Sequence, residues 1–158
     1  MFKLNEKATV GIVTGSASDK PIVDKVTSVL DTFGVEWEWN VLSAHRTPVA
    51  VGKYTMEAEG RGLKILVGIA GLAAALPGVL AAHTLLPVIG VPGDGGPLQG
   101  ADALHSIVQM PPGIPVATVG IGNGKNAAYL AIHILSLFEP ELRTKLADYR
   151  KSLGDIEH

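Results

Sequence analysis

A chain of 158 residues with 47% hydrophobic and 18% charged side chains has room for one domain and is too apolar for global disorder. Thirteen Lys and Arg against fifteen Asp and Glu give a net charge of −2, so no basic excess exists to neutralise a nucleic-acid backbone. With no cysteine, disulfides, thiolate nucleophiles and Cys-ligated zinc are excluded.

The first residues, Met1 to Lys7, contain no apolar signal core, and a cytoplasmic location is expected. Gly (19) and Pro (10) then punctuate a series of apolar runs. A β-branched run over Ala8–Val13 predicts the first strand and ends at Thr14-Gly15. Ile22, Val23, Val26, Val29, Leu30 and Phe33 recur at helical spacing, which predicts a helix over Lys20–Phe33 with Gly34 as its C-cap. Val35–Leu42 alternates as a strand, with Trp37 and Trp39 on one face, placed there to pack. Thr47 is an expected N-cap, with Pro48 opening a helix to about Glu59. A buried strand follows over Leu63–Ile69, then a small-residue helix over Ala73–Ala82. Pro87–Val91 is a fourth strand, and Gly93-Asp94-Gly95-Gly96-Pro97 a flexible loop. Ala101–Val108 reads as a helix, Pro115–Ile121 as a fifth strand, Asn126–Phe138 as an apolar helix and Pro140–Leu153 as an amphipathic one.

Residues 65 to 93 carry no Asp, Glu, Lys or Arg. Length alone would allow a membrane span. Gly68, Gly71, Gly78, Gly90, Pro77, Pro87 and Pro92 instead divide the run into a buried strand, loop, helix and strand. Five strands alternating with helices imply a parallel sheet covered on both faces, with right-handed crossovers. The order 2-1-3-4-5 fits five such units, and ligands then bind where the strand order reverses, beyond the carboxyl ends of the strands. The loops after strands 1, 2 and 3 are therefore the places to look for function.

The first of these loops is Gly15-Ser16-Ala17-Ser18-Asp19. Its small residues and the following helix N-terminus suit an anion, and Asp19 suits ribose hydroxyls; a plain capping role for Ser18 or Asp19 is equally open. It is neither GxGxxG nor a P-loop. The second loop is Ser43-Ala44-His45-Arg46-Thr47-Pro48. It sets a proton carrier beside a bidentate phosphate ligand, although a surface histidine next to a solvated arginine is the alternative. The third, Ala70-Gly71-Leu72-Ala73-Ala74-Ala75-Leu76, has no ionisable side chain. It offers backbone N–H groups and a flat wall, or only tight strand–helix packing. His83, His105, His133 and His158 are not paired at helical spacing and no carboxylate cluster accompanies them, so no metal site is supported. His83 and His133 fall in apolar helical segments and are expected to be structural.

Six motifs stand in order: Gly15-Ser16-Ala17-Ser18-Asp19, Ser43–Pro48, Ala70-Gly71 through Leu76-Pro77-Gly78, Pro87-Val88-Ile89-Gly90-Val91-Pro92, Ser106-Ile107-Val108-Gln109-Met110-Pro111 and Gly113-Ile114-Pro115-Val116-Ala117-Thr118. Together they resemble the 5-(carboxyamino)imidazole ribonucleotide mutases of purine biosynthesis, from about Val10 to Leu137. The resemblance implies a flavodoxin-like three-layer αβα sandwich, one catalytic domain over residues 1–158 and a homo-octamer. The helix near 140–153 would dock on its own subunit or a neighbour. The resemblance implies a cytoplasmic enzyme that converts 5-(carboxyamino)imidazole ribonucleotide to 4-carboxy-5-aminoimidazole ribonucleotide, with carbon dioxide as intermediate and no metal, cofactor, nucleic-acid or membrane partner. By position, Ser16, Asp19 and Arg46 match nucleotide-binding residues, with Ser18 and Ser43 beside them. His45 matches the proton-transfer residue, and Ala70, Gly71, Ala73, Ala74 and Leu76 belong to the loop against the carboxylate or carbon dioxide.

One position departs from the pattern. Bacterial mutases of this type usually carry His before Leu-Pro-Gly, where this chain has Ala75. The related carboxylases, which use free carbon dioxide, also lack that His. They usually have Lys in place of Arg46, and they lack Leu-Pro-Gly and Gly-Ile-Pro. The balance of motifs favours the mutase, with the carboxylase as the alternative. Outside this chemistry, the same architecture could carry a flavin, although no aromatic residue lies in the three loops, or it could act as an assembly module through its apolar final helices.

Overall fold

The structure, a computed structural model, describes residues 2–154. Five parallel strands, β1 (Val10–Thr14), β2 (Trp37–Val41), β3 (Ile65–Ala70), β4 (Val88–Pro92) and β5 (Ala117–Thr118), form one sheet in the order β2-β1-β3-β4-β5. Six α-helices cover it: α1 (Lys20–Phe33), α2 (Pro48–Ala58), α3 (Leu76–Ala82), α4 (Ala101–Val108), α5 (Gly124–Leu135) and α6 (Pro140–Ser152). This is the expected flavodoxin-like α/β architecture.

Alternation along the central strands feeds two cores. Val10, Ile12, Ile65, Val67 and Ile69 point to one face, where α1, α5 and α6 lie over them. Val13, Leu66, Ala70 and Val88 point to the other, under α2, α3 and α4. β3 is buried at all six positions because helices cover both of its faces, so its sequence reads as an unbroken apolar run. The uncharged stretch 65–93 is thus strand, turn, helix and strand. No helix among the described residues is long and apolar enough to cross a membrane.

The helix α3 is shorter than expected and begins at Leu76 rather than Ala73. Pro77 decides this. In the first turn its missing N–H leaves no vacancy, whereas four residues into a helix it would break a bond and clash. Residues 72–75 form tight turns instead, with Ala74 N donating to Leu72 O and Ala75 N to Ala73 O, both at 2.8 Å. β5 pairs over only two residues of the expected seven, since it lies at the sheet edge and Pro115 has no N–H to donate. α5 starts at Gly124, where Asn123 accepts from Asn126 N at 3.1 Å, and stops before Ser136. Its apolar residues Ala127, Ala128, Ala131, Ile132 and Leu135 are buried within the chain itself. The apolar composition of this helix therefore does not mark an outward face; Leu137 and Phe138, just beyond it, are the exposed residues.

The tryptophans pack as expected. Both lie against the core of α1, α5 and α6, with Trp39 Nε1 donating to Thr14 Oγ1 at 3.1 Å and Trp37 Nε1 to Asp31 Oδ1 at 2.7 Å. α6 docks on the same face through Leu142 and Leu146, and Tyr149 stacks on Tyr129 with centroids 4.8 Å apart. Glu38 on β2 is buried and held by Tyr54 OH at 2.7 Å and Arg61 Nη1 at 2.9 Å. Burial and the Glu38 carboxylate both push the Tyr54 phenol upward, which keeps it a neutral donor. His83 and His133 are exposed; His83 Nδ1 lies 2.8 Å from Val79 O at the end of α3. His158 is outside the described residues.

Candidate active site

Register sets the site. Thr14 pairs with Val41 and Ile69, and Ala70 with Pro92, so the carboxyl ends of β1 to β4 finish nearly level. The loops that follow enclose one cavity of about 650 Å³. Its lining includes Ser16, Ser18 and Asp19 after β1, Ser43, His45 and Arg46 after β2, and Ala70, Gly71, Ala73, Ala74 and Leu76 after β3. All the candidate site residues read from the first three loops come together here.

The first loop is a capping box. Ser16 Oγ accepts from Ser18 N at 3.2 Å, and Asp19 Oδ2 accepts from Ser16 N at 3.2 Å. Capping and cavity lining are therefore both true of these residues. Burial raises the Asp19 pKa, and the Ser16 N–H partly offsets that rise. Ser18 Oγ and Ser16 Oγ, 2.8 Å apart, present a hydroxyl pair.

The second loop is tied internally. Thr47 does not cap α2 with its side chain. Its Oγ1 accepts from Ser43 N at 2.9 Å and donates to Ser43 O at 3.1 Å. The hydroxyl is thus engaged by Ser43 within the loop, and the N–H groups of the first turn of α2 receive no side-chain cap from it. Ser43 Oγ accepts from Arg46 N at 3.2 Å, and the Arg46 guanidinium crosses to Gly15 O at 2.7 Å. His45 and Arg46 are both exposed, so an imidazole and a guanidinium with free N–H groups face arriving solutes.

The third loop supplies the apolar wall. Leu72 has φ +55°, a conformation that costs a bulky L-residue roughly 1–2 kcal/mol. Sequence reasoning missed the fourth loop. Gly93, Asp94, Gly95 and Gly96 line the cavity as well, as do Pro21 and Ile22 at the start of α1. The signal for the fourth loop was present: β4 neighbours β3, so its following loop emerges at the same edge. Gly93 lies against Gly71, where an added Cβ would come within 3.3 Å of the Gly71 backbone. Among the described residues, no three His, Asp or Glu side chains gather as a metal-ligand set.

Fold and cavity define a flavodoxin-like α/β protein with a cavity at the carboxyl edge of its sheet, lined by polar residues of the first two loops and by the small apolar residues of the third. The chain belongs to the AIR carboxylase family, whose model matches residues 9–155. It is 54% identical over 144 residues to the N5-carboxyaminoimidazole ribonucleotide mutase of Pyrococcus abyssi, covering 91% of this chain and 83% of that protein. It is also 52% identical over 144 residues to the phosphoribosylaminoimidazole carboxylase of Candida albicans, covering 91% of this chain and 25% of that longer protein. Among solved structures, Treponema denticola PurE superposes with a TM-score of 0.83 at 35% identity, over 90% of this chain and 89% of that one.

Proposed function

We propose that this chain is a 5-(carboxyamino)imidazole ribonucleotide mutase of purine biosynthesis, an isomerase that moves a carboxyl group from nitrogen to carbon on one ribonucleotide. The observation that carries this reading is the convergence of His45, Arg46, Asp19 and Ser16 with an uncharged small-residue wall on one cavity. The mutase names of relatives at 54% and 50% identity support the same choice.

In this reading Arg46 and the Ser16–Ser18 hydroxyls hold the phosphate and Asp19 the ribose. The carbamate C–N bond breaks and its electron pair stays on nitrogen, which takes a proton from His45. Carbon dioxide is released against the wall formed by Ala70, Gly71, Ala73, Ala74 and Leu76. Ring carbon C4 attacks it and a C–C bond forms. His45, now neutral, removes the C4 proton and the ring regains aromaticity. One proton leaves His45 and one returns, so the step is redox-neutral and needs no co-reactant. A positioned acid–base group contributes about 10²–10⁴ in rate. Confinement of the released carbon dioxide supplies proximity.

Ala75 favours one second reading, direct carboxylation of aminoimidazole ribonucleotide by free carbon dioxide, because it lines the cavity without an ionisable group. The test is to follow product formation by NMR from each substrate. The mutase reading requires faster turnover of the carboxylated one.

A cytoplasmic homo-octamer belongs to the same proposal, eight being the number the resemblance implies. Physical support for assembly comes from Leu85 and Phe138, 96% and 82% exposed. A groove lined by Met56, Leu85, Leu86 and Ile114 adds to it. Light scattering at micromolar concentration is expected to give the assembled mass; a 16.5 kDa particle would refute assembly.

A further inference from the structure

We propose that the groove between α5 and α6 binds a phosphate group, at a site separate from the candidate active cavity. The groove has a volume of about 310 Å³ and shares no lining residue with that cavity. Gly122 N donates to Pro92 O at the end of β4, so α5 starts at the carboxyl edge of the sheet. Its 12 residues carry the chain about 18 Å back toward the opposite edge, where its last turn meets α6.

The charge of the groove is unbalanced. Arg143 and Arg150 line it from α6, two turns apart on one helix face, with Leu146 and Ala147 between them. No Asp or Glu lines it. Among the described residues neither guanidinium meets an acceptor, and Arg150 Nε is buried without one. The other two arginines are engaged. Arg46 donates to Gly15 O, and Arg61, although its Nε and Nη2 are also buried without acceptors, is neutralised by the Glu38 carboxylate. A buried charged donor left unpaired is destabilising, and an anion in the groove would supply the missing acceptor. Ser136 Oγ donates to His133 O at 2.8 Å, so its proton is already used and the arginines carry the anion.

Phosphate fits this arrangement better than a carboxylate does. Two guanidinium forks bring two positive charges and several donors, which a phosphate dianion matches with its charge and its oxygens. The volume is at the small end of ligand sites, enough for phosphate with a short carbon body over Leu137, Leu146 and Ala147. A net chain charge of −2 and a groove this short do not suit a nucleic-acid backbone. Free phosphate and a small phosphate ester share the chemistry that the groove recognises.

Calorimetric titrations with inorganic phosphate and with ribose 5-phosphate test the site. They are run at constant ionic strength in Arg46→Ala protein, to weaken any phosphate binding in the candidate active cavity, with and without Arg143→Gln or Arg150→Gln. The expected result is saturable binding in Arg46→Ala protein that becomes about tenfold or more weaker with either Gln substitution. The rise in melting temperature produced by the ligand should be lost in parallel. Tighter binding of ribose 5-phosphate assigns the site to an ester; equal or tighter binding of inorganic phosphate assigns it to the free ion. Absence of saturable binding in Arg46→Ala protein overturns the proposal. Binding that survives both Gln substitutions also overturns it, since the phosphate would then lie elsewhere. Arg143 is exposed, so Arg143→Gln is expected to fold like the parent and decides the matter even if Arg150→Gln does not fold. None of these readouts depends on which reaction the chain catalyses, so failure of this site and failure of the mutase reading are separate results.

Discussion

The guanidinium of Arg46 donates to the Gly15 carbonyl oxygen at 2.7 Å, joining the loop after β2 to the loop after β1. The two strands are neighbours in the sheet, so residues 31 positions apart in sequence meet at the cavity mouth. The bond uses one corner of the guanidinium and leaves the rest of its fork for an anion.

Replacing Arg46 with Ala is therefore expected to weaken ribonucleotide binding far more than it slows bound turnover. A charge-assisted hydrogen bond contributes about 1.5–3 kcal/mol, so KM should rise roughly 10- to 100-fold. The side chain is exposed, and thermal stability should barely change. Steady-state kinetics with the carboxylated ribonucleotide measure both parameters; an unchanged KM would remove Arg46 from the phosphate site.

For His45→Asn the pattern reverses. Asn fills much of the same space but cannot carry the proton, so kcat should fall by about 10²–10⁴. Equilibrium binding of the ribonucleotide, followed by calorimetry, should persist. Near-normal turnover would show that another group moves the proton.

Asp19 gives a pH signature. Burial raises its pKa in the folded chain, so folding favours its protonated form. The benefit is present in acid and is lost as pH rises through the folded-state value, which leaves a strained carboxylate at neutral pH. Asp19→Asn removes that burden. Its melting temperature should match or exceed the parent's at pH 7, and the difference should shrink as pH falls into the carboxylate range. Ribose contacts should weaken at the same time. A variant less stable at neutral pH than in acid, relative to the parent, would contradict this account.

Much of the fold was legible because Gly and Pro separate its apolar runs. The helices Lys20–Phe33 and Ala101–Val108 match residue for residue, and the strand order follows from the βα alternation. Residues 73–75 were misread because alanines favour a helix locally, while the Leu72 turn and Pro77 override that preference. Exposure of His83 and His133 was not legible, since an apolar helix has a wet side whose direction depends on packing. The residues of the first three loops could be found from the switch-point rule. The predicted strand order already set the loop of Asp94 and its glycines at the same edge, but their composition reads as an ordinary flexible loop, and it is the level strand ends that place them at the cavity.

The central claim is that one carboxyl group moves within one ribonucleotide. It is tested most directly by where the substrate's own carbon goes. Substrate carrying labelled carbon in its carboxyamino group should give product labelled at the C4 carboxylate, even with unlabelled bicarbonate in excess. Complete loss of label to bicarbonate, together with faster turnover of aminoimidazole ribonucleotide and free carbon dioxide, would contradict the mutase account and make this chain a carboxylase.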